Sequence, residues 1–379
     1  MFESLTKGSK QSAARLKPTS RAVWMATAAL LAMPAAAAPL DALLTARPDY
    51  TVGGGFLEIS SDHMNQNLDF FRVRDSIPAA AGTKAGDYKG LSLGFGFRPT
   101  DALWLTGNFR HRGISDSVDS YLYSSWQLAG QYRFNEGGGA MPAVAVRLAA
   151  WGNYATEVAS NTPVTVPGAI LNTVKITTPA DRQLQADLIG TWKLTPASDV
   201  SVLLGAGTTQ LSYGTLSGTT QRNGCNYNVS FSGNDIFGTL AQPCNVGGAV
   251  IQQFFDSSGA YGVDVDKEIA WQGNFVQIGV NGTWRSGPWK LMGGYLVHAV
   301  RRGAVDAILT SRGNPAYTQN QHITLGADYR FNPHLVAFTR VQLTSNLFFD
   351  DVPVTYNSAT SSRFGSKYSL FSVGLRVEF

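Results

Sequence analysis

The chain has 379 residues, enough for one large domain or two ordinary ones, and combines 44% hydrophobic residues with only 15% charged ones and 40 glycines. Its formal charge of +4 resides in the first 37 residues, which hold five of the 30 Lys and Arg and one of the 26 Asp and Glu. The remainder carries 25 of each, so net charge gives no support to nucleic-acid binding. No apolar run after residue 38 reaches the length of a membrane helix, and helical periodicity is scarce; the apolar residues must therefore lie along alternating strands.

From the amino terminus, Lys7, Lys10, Arg15, Lys17 and Arg21 precede an apolar run from Ala22 to Ala32 and a small-residue stretch ending at Ala38. This order predicts a secretory signal peptide over 1–37, with cleavage after Ala37. The expected mature chain is 38–379, a single barrel domain.

Twelve alternating stretches follow. One set of strands is expected near 49–60, 101–112, 142–156, 199–213, 288–302 and 334–348, and the returning set near 87–98, 121–134, 182–194, 269–285, 318–331 and 367–379. Short turns rich in Pro, Gly, Asn and Ser follow the first five returning strands, and long loops follow the others, the longest from Gly214 to Asp264. This rhythm predicts an all-β fold, a transmembrane antiparallel β-barrel of about twelve strands. Fourteen is the alternative, because 164–178 or 226–255 can hold another hairpin.

Successive strand residues point to opposite faces. Leu91, Leu93, Phe95 and Phe97, or Ile323, Leu325, Ala327 and Tyr329, make an oily face; Ser92, Gly94, Gly96 and Arg98, or Thr324, Asp328 and Arg330, make a wet one. Each returning strand ends on a basic residue flanked by apolar or aromatic neighbours, among them Arg98, Arg133, Lys193, Arg285, Arg330 and Arg376. With aromatics at the headgroup level, these cations must point into the lumen. The same parity places Arg110, Arg112, Arg147, Lys290, His298, Arg302 and Arg340 inside, against Asp187, Asp328 and Glu378. The balancing acids are expected in the outer loops, including Asp62, Asp69, Asp75, Asp116, Asp119, Asp235, Asp256, Asp264, Asp266, Asp350 and Asp351. Gly53-Gly54-Gly55 suggests a bend where the first strand meets the last.

The final strand runs from Tyr368 to Phe379 with unbroken parity, and its ending Leu375-Arg376-Val377-Glu378-Phe379 resembles the terminal strand of Gram-negative outer-membrane β-barrel proteins. Gly326-Ala-Asp-Tyr-Arg-Phe-Asn-Pro-His334 resembles the penultimate hairpin of porins and of TonB-dependent receptor barrels. The resemblance covers about the last 60 residues. It implies an outer-membrane location, contact with membrane lipid and lipopolysaccharide, and reading of Phe379 by the barrel-assembly machinery.

A lumen lined by Arg98, Arg110, Arg112, Arg133, Arg147, Lys193, Arg285, Lys290, Arg302, Arg330, Arg340 and Arg376 suits a porin-like path for small hydrophilic, preferentially anionic solutes, since the guanidinium fork pairs carboxylate and phosphate. The alternative use of these groups is to cross-link the wall through Asp187, Asp328 and Glu378, leaving a closed barrel that acts as an adhesin or structural protein. Cys225 and Cys244 are expected to form a disulfide within the longest loop, which either constricts the pore or presents an outer surface; two free thiols are the alternative. Of His63, His111, His298, His322 and His334, none belongs to an evident nucleophile, base and orienting trio, so a lipid-modifying enzyme is the weakest reading. No cofactor or metal is expected.

Overall fold

Strands with one oily and one wet face satisfy both faces at once only by closing into a ring. The computed structural model describes residues 41–64, 87–115, 120–161, 163–166, 169–245, 252–256, 264–346, 350–357, 361, 364–365 and 367–379. The expected signal peptide and Asp69, Asp75, Asp116 and Asp119 lie outside the described residues.

In chain order, the strands are β1 (Gly55–Met64), β2 (Asp87–Phe97), β3 (Leu103–Ser115), β4 (Ser120–Asn135), β5 (Ala143–Tyr154), β6 (Glu157–Ser160), β7 (Val164–Val166), β8 (Ala169–Thr177), β9 (Ala180–Thr195) and β10 (Ser198–Ser212). They continue as β11 (Leu216–Arg222), β12 (Cys225–Ser232), β13 (Asp235–Leu240), β14 (Gln253–Asp256), β15 (Gln272–Ser286), β16 (Trp289–Arg302), β17 (Gln319–Asn332), β18 (Leu335–Thr344) and β19 (Tyr368–Glu378). Twelve of them close an antiparallel barrel in the order β1-β19-β18-β17-β16-β15-β10-β9-β5-β4-β3-β2. Its two ends differ: one carries the tight turns and the other the long connections. They are called the turn end and the loop end.

Both segments suspected of adding a barrel hairpin do form strands, but they leave the barrel. β6, β8 and β11 to β14 make a second antiparallel sheet, with β7 paired to β8, so the barrel count is twelve. Cys225, Tyr227, Val229 and Phe231 alternate along β12 and, with Leu171, Ile176, Leu216 and Ile236, give this sheet a hydrophobic core of its own. The Cys225–Cys244 disulfide staples it, with Cα atoms 5.7 Å apart. Once this sheet can bury its apolar face locally, nothing drives it into the barrel wall.

The first strand begins at Gly55 rather than near residue 49. The triple glycine is the junction: Gly53 has φ +81°, and a Cβ on Gly54 would stand 2.8 Å from the Phe379 carbonyl oxygen. The Gly55 amide donates to that carbonyl and the Phe379 amide donates back to Gly55, which closes the ring between first and last strands.

Parity is as the alternation requires. Leu57, Ile59, Leu91, Leu93, Leu148, Leu184, Ile278, Leu325 and Val373 are exposed on the outer wall, with Tyr132, Phe134, Trp284, Trp289 and Phe331 at its turn end. Gln127, Gln131, Gln183, Gln185, Asn281 and Asp328 are buried on the inner wall.

Candidate functional site

The lumen is where the polar side chains converge, and two segments off the wall enter it. At the turn end, residues 41–50 run up inside the barrel before β1 begins. Ala42 and Ala46 are fully buried against Ala143, Ala145, Ile189, Leu203 and Leu296, all on the inner wall. The fit depends on a glycine, because a Cβ on Gly294 would stand 2.6 Å from the Ala42 carbonyl oxygen. The backbone polar groups of the segment are met by the wall: Asn281 Nδ2 donates to the Leu44 carbonyl at 2.7 Å, Gln131 Nε2 to the Thr45 carbonyl at 3.0 Å, and the Ala46 amide to Thr191 Oγ1 at 2.8 Å. Tyr50 stacks on Trp104 with ring centroids 5.0 Å apart.

Asp49 anchors this segment. Its two oxygens lie 2.7 Å from Arg285 Nη2 and 2.7 Å from Lys290 Nζ. Burial acts to raise the Asp49 carboxyl, but the charges of Lys290 and Arg285 outweigh it and hold the group below its ordinary value.

At the loop end the entering segment is the connection between β18 and β19. Val352, Val354, Tyr356 and Phe364 pack with Trp151, Trp271 and Phe275 of the wall and with Val305 and Leu309 of the helix Gly303–Ser311. Trp271 Nε1 donates to the Tyr356 carbonyl at 2.8 Å, and the Arg302 guanidinium lies 3.9 Å from the centre of the Tyr356 ring. Asp350 is clamped between His298 Nδ1 at 2.8 Å and His322 Nε2 at 3.1 Å, with Asn320 Nδ2 donating at 2.7 Å. Burial again works to raise the carboxyl, yet the two imidazoles hold Asp350 well below the usual carboxylate range. Tyr368 Oη donates to Asp351 at 3.0 Å.

Most of the predicted basic residues meet an acid. Arg110 lies 3.3 Å from Asp62, Arg147 2.8 Å from Asp187, Arg340 2.6 Å from Asp328, and Arg330 2.6 Å from Glu378. Arg376 bridges Glu58 and Asp328, each at 3.0 Å, and Arg285 reaches Asp199 at 2.6 Å as well as Asp49. Arg98 pairs with Asp101, Arg133 with Glu136 and Arg302 with Asp306. Arg112 instead donates to Ser125 at 2.6 Å and Asn153 at 3.3 Å, and Lys193 is exposed at the turn end. Asp187 also accepts from Gln185 and Gln277; Gly205 beside it has no Cβ that would overlap its carboxylate.

This corrects the placement of three acids expected outside. Asp62 is buried in the lumen because β1 continues beyond residue 60 with the same parity, and Asp350 and Asp351 are buried because their loop folds inward. Glu58, Asp181 and Asp199 add inner acids that sequence reasoning passed over, although their even or odd position along β1, β9 and β10 signalled them. Asp49 carried no such signal. The wall with its fillings is therefore a charge-paired network and not a bare basic lining.

One arrangement has the outline of a catalytic trio: His322 lies between Asp350 and Thr344, whose Oγ1 is 3.3 Å from Nδ1. All three side chains are buried, with relative exposures of 1% for His322 and 3% for Thr344, and the arrangement ties Asp350 to the wall.

A closed ring of twelve antiparallel strands, oily outside and polar inside, decides the class. The chain folds as a closed antiparallel β-barrel of twelve strands with the faces of a membrane-spanning one. No protein-family model matches it, and no curated protein does. Among solved structures it is similar to the translocator domain of the autotransporter NalP from Neisseria meningitidis, with 10% identity, a TM-score of 0.46, and 87% of this chain and 89% of that chain covered. It is also similar to the KdgM porin, at 8% identity and a TM-score of 0.35 over 85% of this chain and 99% of that chain. A third is the P. putida toluene transporter TodX, at 10% identity and a TM-score of 0.35 over 88% and 90%.

Proposed function

We propose that this barrel is a plugged channel of the Gram-negative outer membrane, which passes small hydrophilic solutes and prefers anions once its two internal segments withdraw. The observation that carries this reading is where the acids sit. Asp49 and Asp350 belong to the entering segments and pair with Arg285, Lys290, His298 and His322 of the wall, while Asp351 beside them accepts from the wall's Tyr368. Withdrawal removes these carboxylates and leaves Arg285 and Lys290 on the wall without Asp49. The wall alone then sets twelve Lys and Arg against seven acids among the described residues: Glu58, Asp62, Asp181, Asp187, Asp199, Asp328 and Glu378. Rings of one sign set selectivity in a narrow pore.

The test is planar-bilayer recording on the refolded full chain and on a variant lacking 41–50. The wild type is expected to be mostly closed, the variant to conduct more, and the reversal potential in a salt gradient to show anion preference. Cation preference would refute the anion path. Silence from both proteins would favour the second reading, a closed barrel that binds a partner through its outer sheet, whose separate core and disulfide are the features in its favour.

A further inference from the structure

The outer sheet has two faces of opposite character. Tyr227, Phe231 and Phe254 turn to the side that holds its core, where the Cys225–Cys244 disulfide also lies. On the opposite side, Lys175, Ser217, Ser230, Phe237 and Phe255 are successive cross-strand partners from β8 through β11, β12 and β13 to β14. The next row is Thr173, Thr219, Asn228, Thr239 and Gln253, in the same strand order. At the usual strand spacing each row runs about 19 Å across the sheet.

The core does not account for two features of this face. Phe237 and Phe255 lie against each other with ring centroids 4.9 Å apart, yet they stay 45% and 55% exposed although the other side of the same sheet accepts aromatic rings. They also sit at β14, an edge among the described strands, where adjoining apolar side chains invite association. Beside them stands a block of side chains that both donate and accept hydrogen bonds. The hydroxyls of Thr173 and Thr219 lie 2.8 Å apart, and Asn228, Ser230, Thr239 and Gln253 are exposed. On the described strand residues of this face the ionisable groups are Lys175 and Glu157, which pair with each other, and Asp235; Arg222 and Asp256 pair on the other side.

We propose that this face binds an extended, uncharged oligosaccharide chain from solution. The inference rests on the outer sheet and holds whether the barrel conducts or stays closed. A sugar ring presents C–H groups on its flat side, which lie well on an aromatic ring, and hydroxyls around its rim, each a donor and an acceptor. The Thr, Ser, Asn and Gln side chains beside Phe237 and Phe255 have the same double capacity. Charge complementarity excludes an anionic glycan: a carboxylated or sulfated chain needs cations to meet it, whereas Lys175 is neutralised by Glu157 and Asp235 adds a negative charge. Shape selects length. The face is a sheet surface and not a cleft, so a single sugar would leave most of its area in water, while a chain laid along the rows touches several strands. A protein partner would call for a wider apolar centre than two rings in a polar field.

The experiment is calorimetric titration of the full chain, in micelles of a detergent without a sugar headgroup, with cellohexaose, maltohexaose and chitohexaose, and with a hyaluronan hexasaccharide as the anionic comparison. At least one neutral hexasaccharide is expected to bind with a dissociation constant of about 1 mM or tighter, and the hyaluronan fragment about tenfold more weakly. The double change Phe237→Ala, Phe255→Ala should weaken binding about tenfold, and Asn228→Ala about fivefold. All three side chains lie outside the core of the sheet, so resistance of 214–264 to limited proteolysis should match wild type; if the double variant loosens the sheet, Asn228→Ala carries the test. Absence of binding by every neutral hexasaccharide at about 10 mM overturns the proposal, as does tighter binding of hyaluronan. Equal binding by wild type and both variants also overturns it, because the sugar then sits elsewhere on the molecule. Bilayer conductance of Asn228→Ala should equal that of wild type, so failure of the channel reading shows separately.

Discussion

Asp350 concentrates the question of how the loop end stays shut. A carboxylate buried between His298 and His322 has been taken out of water, and it is held by hydrogen bonds from Asn320 and His322 on one oxygen and by the nearby His298 ring on the other. The folded group sits below its unfolded value, so the stability it contributes is complete above the ordinary carboxylate value of about 3.9 and is lost as pH falls beneath it. Asp49 at the turn end carries the same sign. Titration of these two carboxylates is thus expected to leave the barrel closed down to about pH 4 and to weaken the closure progressively as pH falls further, toward their lower folded values. Asp350→Asn should raise open probability at neutral pH about tenfold or more, because breaking a buried pair commonly costs about 3–5 kcal/mol. Single-channel recording across pH 3 to 7 checks both; an unchanged variant would mean that the clamp holds nothing shut. At this scale parity made ion-paired residues such as Arg147, Asp187, Asp328 and Arg376 legible, since the strand backbone dictates which residues share a face. Partners on the entering segments were illegible: 28 residues separate His322 from Asp350, and a loop has no period to read.

Among the elements, eleven of the twelve barrel strands lie within a few residues of where alternation placed them, and the exception has a local cause. Residues 49–54 alternate well enough to pass for strand, but Tyr50 stacks on Trp104 and Gly53 turns the chain, so pairing starts only at Gly55. The loop from 214 to 264 was expected to be a constriction or an outer surface. Its β11 to β14 pair with one another and with β8, while the apolar filling of the mouth comes from the β18–β19 connection and the Gly303–Ser311 helix. Deleting 222–247 should therefore leave conductance unchanged, contrary to a constriction. Cys244→Ser is expected to destabilise the outer sheet by about 2–4 kcal/mol, the usual worth of closing a loop of this size. Limited proteolysis should then cut within 214–264 while the barrel resists; a barrel that loosens too would show the two sheets to be energetically coupled.

For the whole molecule, the assignment of inside and outside carries everything else. Spin labels on Leu325 and Val373 should report a lipid environment, and labels on Thr324 and Ser372 should not; exchange of the two results would invert the barrel and remove the lumen. That assignment was available from the chain alone, because alternation is a property of neighbouring residues and a polar backbone in hydrocarbon must close on itself. The strand count needed the fold, since 164–178 and 226–255 alternate as well as any wall strand and only their pairing partners say that they belong to another sheet. Sequence by itself thus determined the alternating rhythm and which residues share each face of the wall. Only the tertiary structure decided that the lumen is filled, because burial of Ala42, Ala46, Asp49 and Asp350 depends on surfaces that exist only after the ring has closed.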